Sequence, residues 1–202
     1  MRNVAFQPCI PTRGIKVPVG PDWIHEIKHD GYRLIVERDG ARVRTFTRNG
    51  HDWSDRFPLI VEAALENKQQ RFVIDGEAVL LGDDGVSDFN GLHSRRHNDQ
   101  IKLYAFDILA LDGDDLRTLP LHLRKEKLAR LLAKHRDWAE GLVAARAALR
   151  LNLADLEARR TAVRCLYSLG QSEGARRELQ TLFGFHPPDE QRLRSQYAAL
   201  RP

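Results

Sequence analysis

Two strand-like runs joined by Asp-Gly restrict most strongly how this chain can fold. Residues 32–38, YRLIVER, and residues 41–46, ARVRTF, are rich in β-branched and alternating apolar residues, and Asp39-Gly40 lies between them. Asp-Gly between such runs is a strong signal for a two-residue hairpin turn, because glycine accepts the positive φ angle that the turn needs. The sequence therefore predicts an antiparallel β-hairpin.

Further strands and helices surround this hairpin. Apolar and β-branched runs predict strands at residues 71–74, 78–81 and 102–109. Apolar residues recur at helical spacing after Ser54, a residue type that often caps a helix, and again over residues 121–135. Helices mixed with strands in antiparallel hairpins predict an α+β fold with mixed or antiparallel sheets.

The composition changes after residue 135. All seven lysines lie between Lys16 and Lys134, and alanine and leucine become dense in the residues that follow. Residues 153–155 align with residues 187–189 at an offset of 34, which is the period of tetratricopeptide repeats. About one and a half repeats fit, fewer than such an array needs, so a tetratricopeptide-like tail and a generic helical hairpin both stay open. We predict one domain over residues 1–135 and a helical tail over residues 136–202.

Charge and cysteine content narrow the class of protein. The net charge of +4 allows an anionic partner such as a nucleotide or nucleic acid without requiring one. Cys9 and Cys165 lie far apart and have no C-x-x-C partner, which argues against a disulfide framework or a cysteine zinc site. No apolar run approaches a membrane span, and the N-terminus lacks the apolar core of a signal peptide. A cytoplasmic protein with no membrane partner is the expectation.

The segment HEIKHDGYR, residues 25–33, is compatible with two chemistries. His25 and His29 fit the H-E-x-x-H pattern of zinc proteases, which needs both imidazoles one helical turn apart. The flanking proline, glycine and hairpin disfavour a helix, and on a strand two residues four apart are separated by about 13 Å, too far to share a metal. The alternative is a strand that ends at Lys28 and presents its amine at the rim of a sheet, with Arg33 close enough to pair with a phosphate. Taken alone, this pattern equally fits an ordinary surface hairpin.

Four segments in order resemble motifs of the ATP-dependent polynucleotide ligases. Residues 24–33 resemble motif I, whose lysine becomes adenylylated, and residues 47–50, 73–77 and 104–107 resemble the next segment, motif III and motif IIIa. Their order and spacing resemble the bacterial repair-type DNA ligases over roughly residues 5–135. The resemblance implies an incomplete nucleotidyltransferase (ATP-grasp-like) adenylation domain, followed by an α-helical hairpin tail.

The resemblance implies a nucleophile and an adenine site. Lys28 would attack the α-phosphate of ATP, form a phosphoramide with AMP and release pyrophosphate. Glu26 would contact adenine, and the backbone of Ile27 would lend it further polar groups. Phe106 would stack on the adenine face, although without the resemblance this residue would be interpreted as a core aromatic.

The resemblance also implies groups that hold the rest of the nucleotide. Arg33 and Arg48 would hold the ribose and phosphate, and Arg48 could also face the DNA end. Glu77 would bind a ribose hydroxyl or the divalent ion, here Mg²⁺. Without the resemblance, Glu77 would be interpreted as an ordinary charge beside a turn at Gly76.

Basic residues outside these roles are candidates for contacts with DNA. Arg42, Arg44 and Arg48, together with Arg95-Arg96-His97, could form a basic face that binds phosphates regardless of sequence, as a nick-sealing enzyme requires. Solvated arginine explains each of them individually as well. The resemblance implies nicked duplex DNA as the substrate, in DNA repair or recombination.

The resemblance is incomplete in the C-terminal part. Members of the family also carry a glutamate in an E-G-x-V-x-K segment, a later K-x-K segment and an OB-fold domain. Residues 140–143, EGLV, match only the start of the first segment, and no lysine follows Lys134 to form the second. Two hypotheses follow: a truncated ATP-dependent DNA ligase with at most weak activity, or an inactive remnant whose helical tail binds another protein. RNA ligases and capping enzymes share the lysine motif, but their other segments are less similar.

Overall fold

The computed structural model of the protein describes residues 6, 8–10, 12–20, 23–95 and 97–200. Contacts divide the chain into two units between Leu119 and Pro120. The first unit contains a β-sheet with short helices, and the second is helical. This division lies before the helix of residues 121–135, whereas the change in composition lies after it. The predicted domain boundary, which separates residues 1–135 from residues 136–202, stays a prediction.

Five strands of the first unit form one sheet in which neighbouring strands are antiparallel. They are β1 (Tyr32–Asp39), β2 (Arg42–Thr47), β3 (Arg71–Val79), β4 (Lys102–Leu111) and β5 (Asp114–Asp115). Their order across the sheet is β2-β1-β3-β4-β5. The α+β class is confirmed, and the pairing of this sheet is antiparallel rather than mixed.

The hairpin predicted from Asp39-Gly40 is present. Asp39 pairs with Arg42, and Gly40 has a φ of 63°, the left-handed conformation that glycine adopts at no steric cost. Within β1, Leu34 and Val36 are fully buried. The turn therefore lets two strands pair directly, and the apolar residues of β1 hold the pair in the core.

The strands predicted at 71–74 and 78–81 are one continuous strand, β3, so the break predicted between them is wrong. Asp75 and Gly76 lie inside the strand and pair with β1 and β4. A Cβ atom on Gly76 would lie 2.8 Å from the carbonyl oxygen of Tyr104. Glycine is needed here for close approach to β4 and not for a turn. In the sequence, Gly76 is interpreted as a turn residue, and this is why two strands are predicted in place of β3.

Two short helices accompany the sheet, α1 (Pro58–Glu66) and α2 (Phe89–Ser94), with a 3₁₀ turn at Asn98–Gln100. The predicted start of α1 at Ser54 is wrong, because the first helical residue is Pro58, whose fixed φ suits that position. The Ser54 hydroxyl instead accepts a hydrogen bond from the Thr45 amide. Helix α1 contacts β1, β2 and β4, with Ile60 buried.

The second unit consists of five α-helices and a 3₁₀ turn within its described residues, 120–200. They are α3 (Leu121–His135), α4 (Trp138–Leu151), α5 (Leu156–Ser168), α6 (Ser172–Gly184) and α7 (Glu190–Gln196), followed by Ala198–Leu200. The bounds of α3 agree with the predicted helix. Consecutive helices from α3 to α6 pack on each other, and alanines such as Ala145 and Ala162 are fully buried between them. No described helix is both long and apolar enough to cross a membrane.

Helix α5 begins at a side-chain cap that can be tested. Asp155 accepts a hydrogen bond from the Ala158 amide at 3.0 Å, which satisfies one of the free N–H groups of the first turn. We expect Asp155→Ala to lower the free energy of unfolding by about 1 kcal/mol, measured by urea denaturation. Gln171 precedes α6 without a side-chain cap, so Gln171→Ala is the matched control and should change little. Equal losses in both variants would contradict the capping role.

Candidate active site

Lys28 lies in an irregular segment ahead of the sheet. Residues 23–30 form neither helix nor strand, so the predicted strand that ends at Lys28 is wrong. A strand gains stability by burying one face, whereas here Ile27 is 81% exposed and Glu26 is exposed as well. The side chain of Lys28 is 89% exposed, and its Nζ lies 4.0 Å from Oδ1 of Asp30.

The histidines of this segment do not have the geometry of the zinc alternative. His25 and His29 lie on neither a helix nor a strand, so their spacing does not bring two imidazoles onto one helical face. Nε2 of His25 lies 3.1 Å from the carbonyl oxygen of Pro18. The ring of His29 stacks on Tyr104 at 4.3 Å between centroids. The two rings therefore have separate partners.

The residues that follow Lys28 are attached to the sheet. The Asp30 amide donates to the Ser87 hydroxyl at 3.3 Å, and the backbone of Gly31 lies close enough to the Glu77 carboxylate to oppose the rise in its pKa that burial causes. A Cβ atom on Gly31 would lie 2.2 Å from the carbonyl oxygen of Ala78, closer than any real contact. Only glycine therefore lets this backbone approach β3, and the approach places Lys28 beside the end of the sheet.

Arg33 is held from three sides. Its Nε and Nη2 donate to the two carboxylate oxygens of Asp75 at 2.9 and 2.7 Å, and its Nη1 donates to the Cys9 carbonyl at 2.6 Å. The Phe106 ring lies below the guanidinium, 5.2 Å from Cζ to the ring centroid. The hydrogen bond with Asp75 raises the pKa of Arg33, while burial raises the pKa of Asp75 against the opposing effect of Arg33. The structure thus brings Arg33 and Phe106 together, as predicted candidates for one site.

Glu77 is opposite Arg33 in the register of β1 and β3, and opposite Tyr104 in that of β3 and β4. Directly paired residues share a face, so Glu77 and Arg33 point to the same side of the sheet. Burial raises the pKa of Glu77, and the charges of Arg33 and then Lys28 oppose the rise. Lys28 therefore lies within electrostatic range of this carboxylate.

The carboxylate of Glu77 suits a loosely held Mg²⁺ ion. No group of three His, Cys, Asp or Glu side chains that could enclose a metal occurs among the described residues. Magnesium is commonly held by one or two carboxylates together with substrate phosphates and water. Glu77 fits that pattern, because Asp75 beside it is already paired with Arg33.

The raised pKa of Glu77 predicts a pH-dependent effect on stability. Because the folded protein raises this pKa above the ordinary value of 4.5, protonation favours the folded state. The resulting stability is present below that value and is lost as the pH rises through the folded-state pKa. We expect the stability of Glu77→Gln relative to wild type to increase from about pH 4 to about pH 7, as measured by urea unfolding. The control is Glu62→Gln, at an exposed position of α1. If the stability of Glu77→Gln relative to wild type fell as the pH rose, the raised pKa of Glu77 would be contradicted.

Arg48 lies at the same end of the sheet. It follows Thr47, which pairs with Leu34, the neighbour of Arg33. The turn of residues 47–50 is closed by a hydrogen bond from the Gly50 amide to the Thr47 carbonyl, and Arg48 is exposed within it. The register therefore brings the ends of β1 and β2, with Arg33 and Arg48, to one edge of the site.

The basic residues predicted to face DNA belong to different elements of the first unit. Arg42 and Arg44 are on β2, and Arg44 lies over the Phe46 ring and 3.5 Å from the Glu37 carboxylate. Arg95 and His97 follow α2, and Arg96 lies outside the described residues. Contact of these residues with DNA stays a prediction.

Three residues of this region were missed as functional candidates in the sequence. Asp75 binds Arg33, while His29 and Tyr104 stack and attach the Lys28 segment to β4. The available signal for Asp75 was an acidic residue directly after the apolar run FVI, because a buried carboxylate needs a partner. Nothing in the sequence spacing pairs His29 with Tyr104.

Comparisons with known proteins identify the family of the chain. The family described as "ATP dependent DNA ligase domain" matches residues 12–147. The chain is 36% identical over 121 residues to the "Multifunctional non-homologous end joining protein LigD" of Pseudomonas aeruginosa, covering 58% of this chain and 14% of that protein. It is 39% identical over 118 residues to a "Probable DNA ligase" of Streptomyces coelicolor, covering 53% of this chain and 23% of that protein.

A solved structure, the ligase domain of LigD from M. tuberculosis, is also similar. It has 34% sequence identity and a TM-score of 0.48, over 54% of this chain and 36% of that chain. The chain thus spans less than a quarter of the length of the two curated relatives above.

Proposed function

The chain belongs to the family of ATP dependent DNA ligase domains, and on that premise we propose that it transfers AMP from ATP to Lys28. The observation that carries the proposal is the close approach of Gly31 to β3 together with the stacking of His29 on Tyr104 of β4, which keeps Lys28 within electrostatic range of Glu77, the residue paired with Arg33. These are the side chains that a triphosphate needs around a nucleophilic amine.

The proposed step is a displacement at the α-phosphorus. The neutral amine of Lys28 forms a P–N bond, the P–O bond to pyrophosphate breaks, and the amine proton passes to water. Arg33 and Arg48 hold the ribose and phosphate, and Glu77 holds a ribose hydroxyl or the Mg²⁺ ion. Held by Glu77, Mg²⁺ would supply positive charge that offsets the charge of the phosphates.

The base is proposed to bind between Phe106 and the residues before Lys28. Adenine is proposed to stack on the Phe106 ring, an arrangement that suits an aromatic base. Glu26 and the backbone of Ile27 then contact the adenine edge. Both residues are exposed and lie outside any strand or helix, so they reach the base without unfolding the sheet.

We further propose nicked duplex DNA as the acceptor of the AMP group, in DNA repair. The names of the relatives, which include non-homologous end joining and DNA ligase, support this context. The sequence has no lysine after Lys134, so it does not contain the later K-x-K segment whose lysines contact the α-phosphate in members of the family. Loss of a single electrostatic donor costs about 100- to 1,000-fold in rate in other enzymes, and we therefore expect slow transfer.

The test is incubation of the purified chain with α-labelled ATP and Mg²⁺, followed by a denaturing gel. Label that stays with the protein supports the lysyl-AMP step, and transfer of that label to nicked DNA supports the ligase step. A folded chain that never carries label contradicts the proposal.

The alternative function, a protein-interaction module, has one favourable observation. Helix α6 begins 34 residues after α4, at Ser172 and Trp138, and α7 begins 34 residues after α5, at Glu190 and Leu156. This is the repeat length of tetratricopeptide units, which commonly bind other proteins. The interaction-module function would be favoured if the chain takes no label from α-labelled ATP but binds a protein partner.

A further inference from the structure

The most completely engaged charged group of the candidate site is Arg33, which is opposite Glu77 in the sheet. Its guanidinium is bound bidentately by Asp75, and the side chain of Asp75 is only 3% exposed. Bidentate pairing fixes both the position and the plane of a guanidinium. The Phe106 ring below that plane restricts it further.

The pairing leaves part of Arg33 available. A guanidinium has five N–H donors, and three of those in Arg33 donate to Asp75 and Cys9. The remaining donors belong to the terminal nitrogens, one on Nη1 and one on Nη2. They lie in the guanidinium plane that Asp75 fixes, where anionic oxygens of a nucleotide can accept hydrogen bonds from them.

Stability alone does not account for a buried ion pair at this position. Removing two charges from water costs about as much as their attraction returns, so such pairs add little net stability. An exposed pair at the other end of the same strands, between Asp39 and Arg71, joins β1 to β3 without burial. The distinguishing property of the Asp75–Arg33 pair is therefore the orientation that it imposes.

We propose that Asp75 is a positioning residue that holds Arg33 in the orientation that binds a phosphate or ribose oxygen of ATP. The inference rests on the proposed function and deepens it, because it assigns a task to a residue that need not touch the nucleotide. Preorganised donors contribute more than mobile ones, since they need no reordering when the substrate binds.

The experiment compares Asp75→Asn, Arg33→Gln and the double variant, with Asp39→Asn as the matched control. Rates of label transfer are measured as a function of ATP concentration, beside urea unfolding of each protein. We expect Asp75→Asn to raise the KM for ATP roughly tenfold or more, as loss of a charged hydrogen-bond partner does. The double variant should match Arg33→Gln within about twofold, because Asp75 acts through Arg33. Asp39→Asn should match wild type within about twofold.

A purely structural role gives a different pattern. Partial unfolding lowers the maximum rate and leaves KM unchanged, and losses in the double variant then multiply. An unchanged KM in Asp75→Asn, or losses that multiply in the double variant, overturns the positioning role of Asp75 and leaves the proposed function intact.

The proposed AMP transfer to Lys28 and the positioning role of Asp75 can be contradicted independently. If the wild type carries no label, the same four variants are compared by the rise in melting temperature that ATP and Mg²⁺ produce. A smaller rise in Asp75→Asn, no further loss in the double variant and a normal rise in Asp39→Asn support the positioning role without the covalent step. A wild type that neither carries label nor is stabilised by ATP overturns both.

Discussion

Replacing Lys28 with arginine is expected to abolish labelling from α-labelled ATP while leaving the fold unchanged. Arginine keeps the positive charge and the length of the side chain, but its guanidinium is not deprotonated in proteins and cannot act as the nucleophile. The side chain of Lys28 is 89% exposed, so the substitution removes no packing. Loss of label in Lys28→Arg therefore reports on chemistry alone.

The matched control is Lys68→Arg, which makes the same exchange at an exposed position just after α1. We expect this variant to be labelled like wild type, with both variants unfolding at the wild-type urea concentration. Label that persists in Lys28→Arg would show that another residue carries the AMP, and Lys28 would be excluded as the nucleophile.

Replacing Gly31 with alanine is expected to have the second-largest effect, on both stability and labelling. The new Cβ would lie 2.2 Å from the carbonyl oxygen of Ala78 and 3.1 Å from Cγ of Glu77. Backbone of the central strand cannot yield as a flexible side chain can, so the Lys28 segment must move away from β3. We expect a loss of about 1–3 kcal/mol in the free energy of unfolding, together with a large loss of label transfer.

Gly184→Ala is the matched control, because a Cβ at the end of α6 meets nothing within 4 Å. Alanine has the higher helix propensity, so this variant should be as stable as wild type or slightly more stable. Urea unfolding and the labelling assay on both proteins check the prediction. A Gly31→Ala protein with wild-type stability and wild-type labelling would contradict the close approach of residue 31 to β3.

The elements that sequence predicted well are those decided by local chemistry. Asp39-Gly40 fixes the hairpin because the turn depends on two residues, and the apolar periodicity of residues 121–135 agrees with α3. The strand predicted at 102–109 is β4, which continues to Leu111. Hydrophobic periodicity and turn residues were sufficient in these cases, because residues close in sequence determine the local conformation.

The errors arise where a distant part of the chain determines the conformation. Asp75-Gly76 has the composition of a turn, but pairing with two strands and the ion pair with Arg33 keep it extended. The segment before Lys28 was predicted as a strand from its residues, yet it has no strand to pair with among the described residues. Of the candidate site, Arg33, Glu77 and Phe106 lie together, whereas the partnership of Asp75 with Arg33 was not visible in the spacing.

The short turn at Gly40 has a consequence at the opposite end of the sheet. Asp39, next to the turn, is aligned with Arg42 on one side and Arg71 on the other, and the same alignment continues to Arg33 and Glu77. The turn itself sets the register of β1 against β2, which pairs Leu34 with Thr47 and so brings Arg48 to the end of β1 that carries Arg33. Because side chains alternate between faces, a slip of one residue in this pair would move the side chains of β2 to the opposite face. A two-residue turn at the far end of the sheet therefore determines where Arg48 lies relative to Arg33, and an insertion in that turn is expected to displace Arg48 from the candidate site.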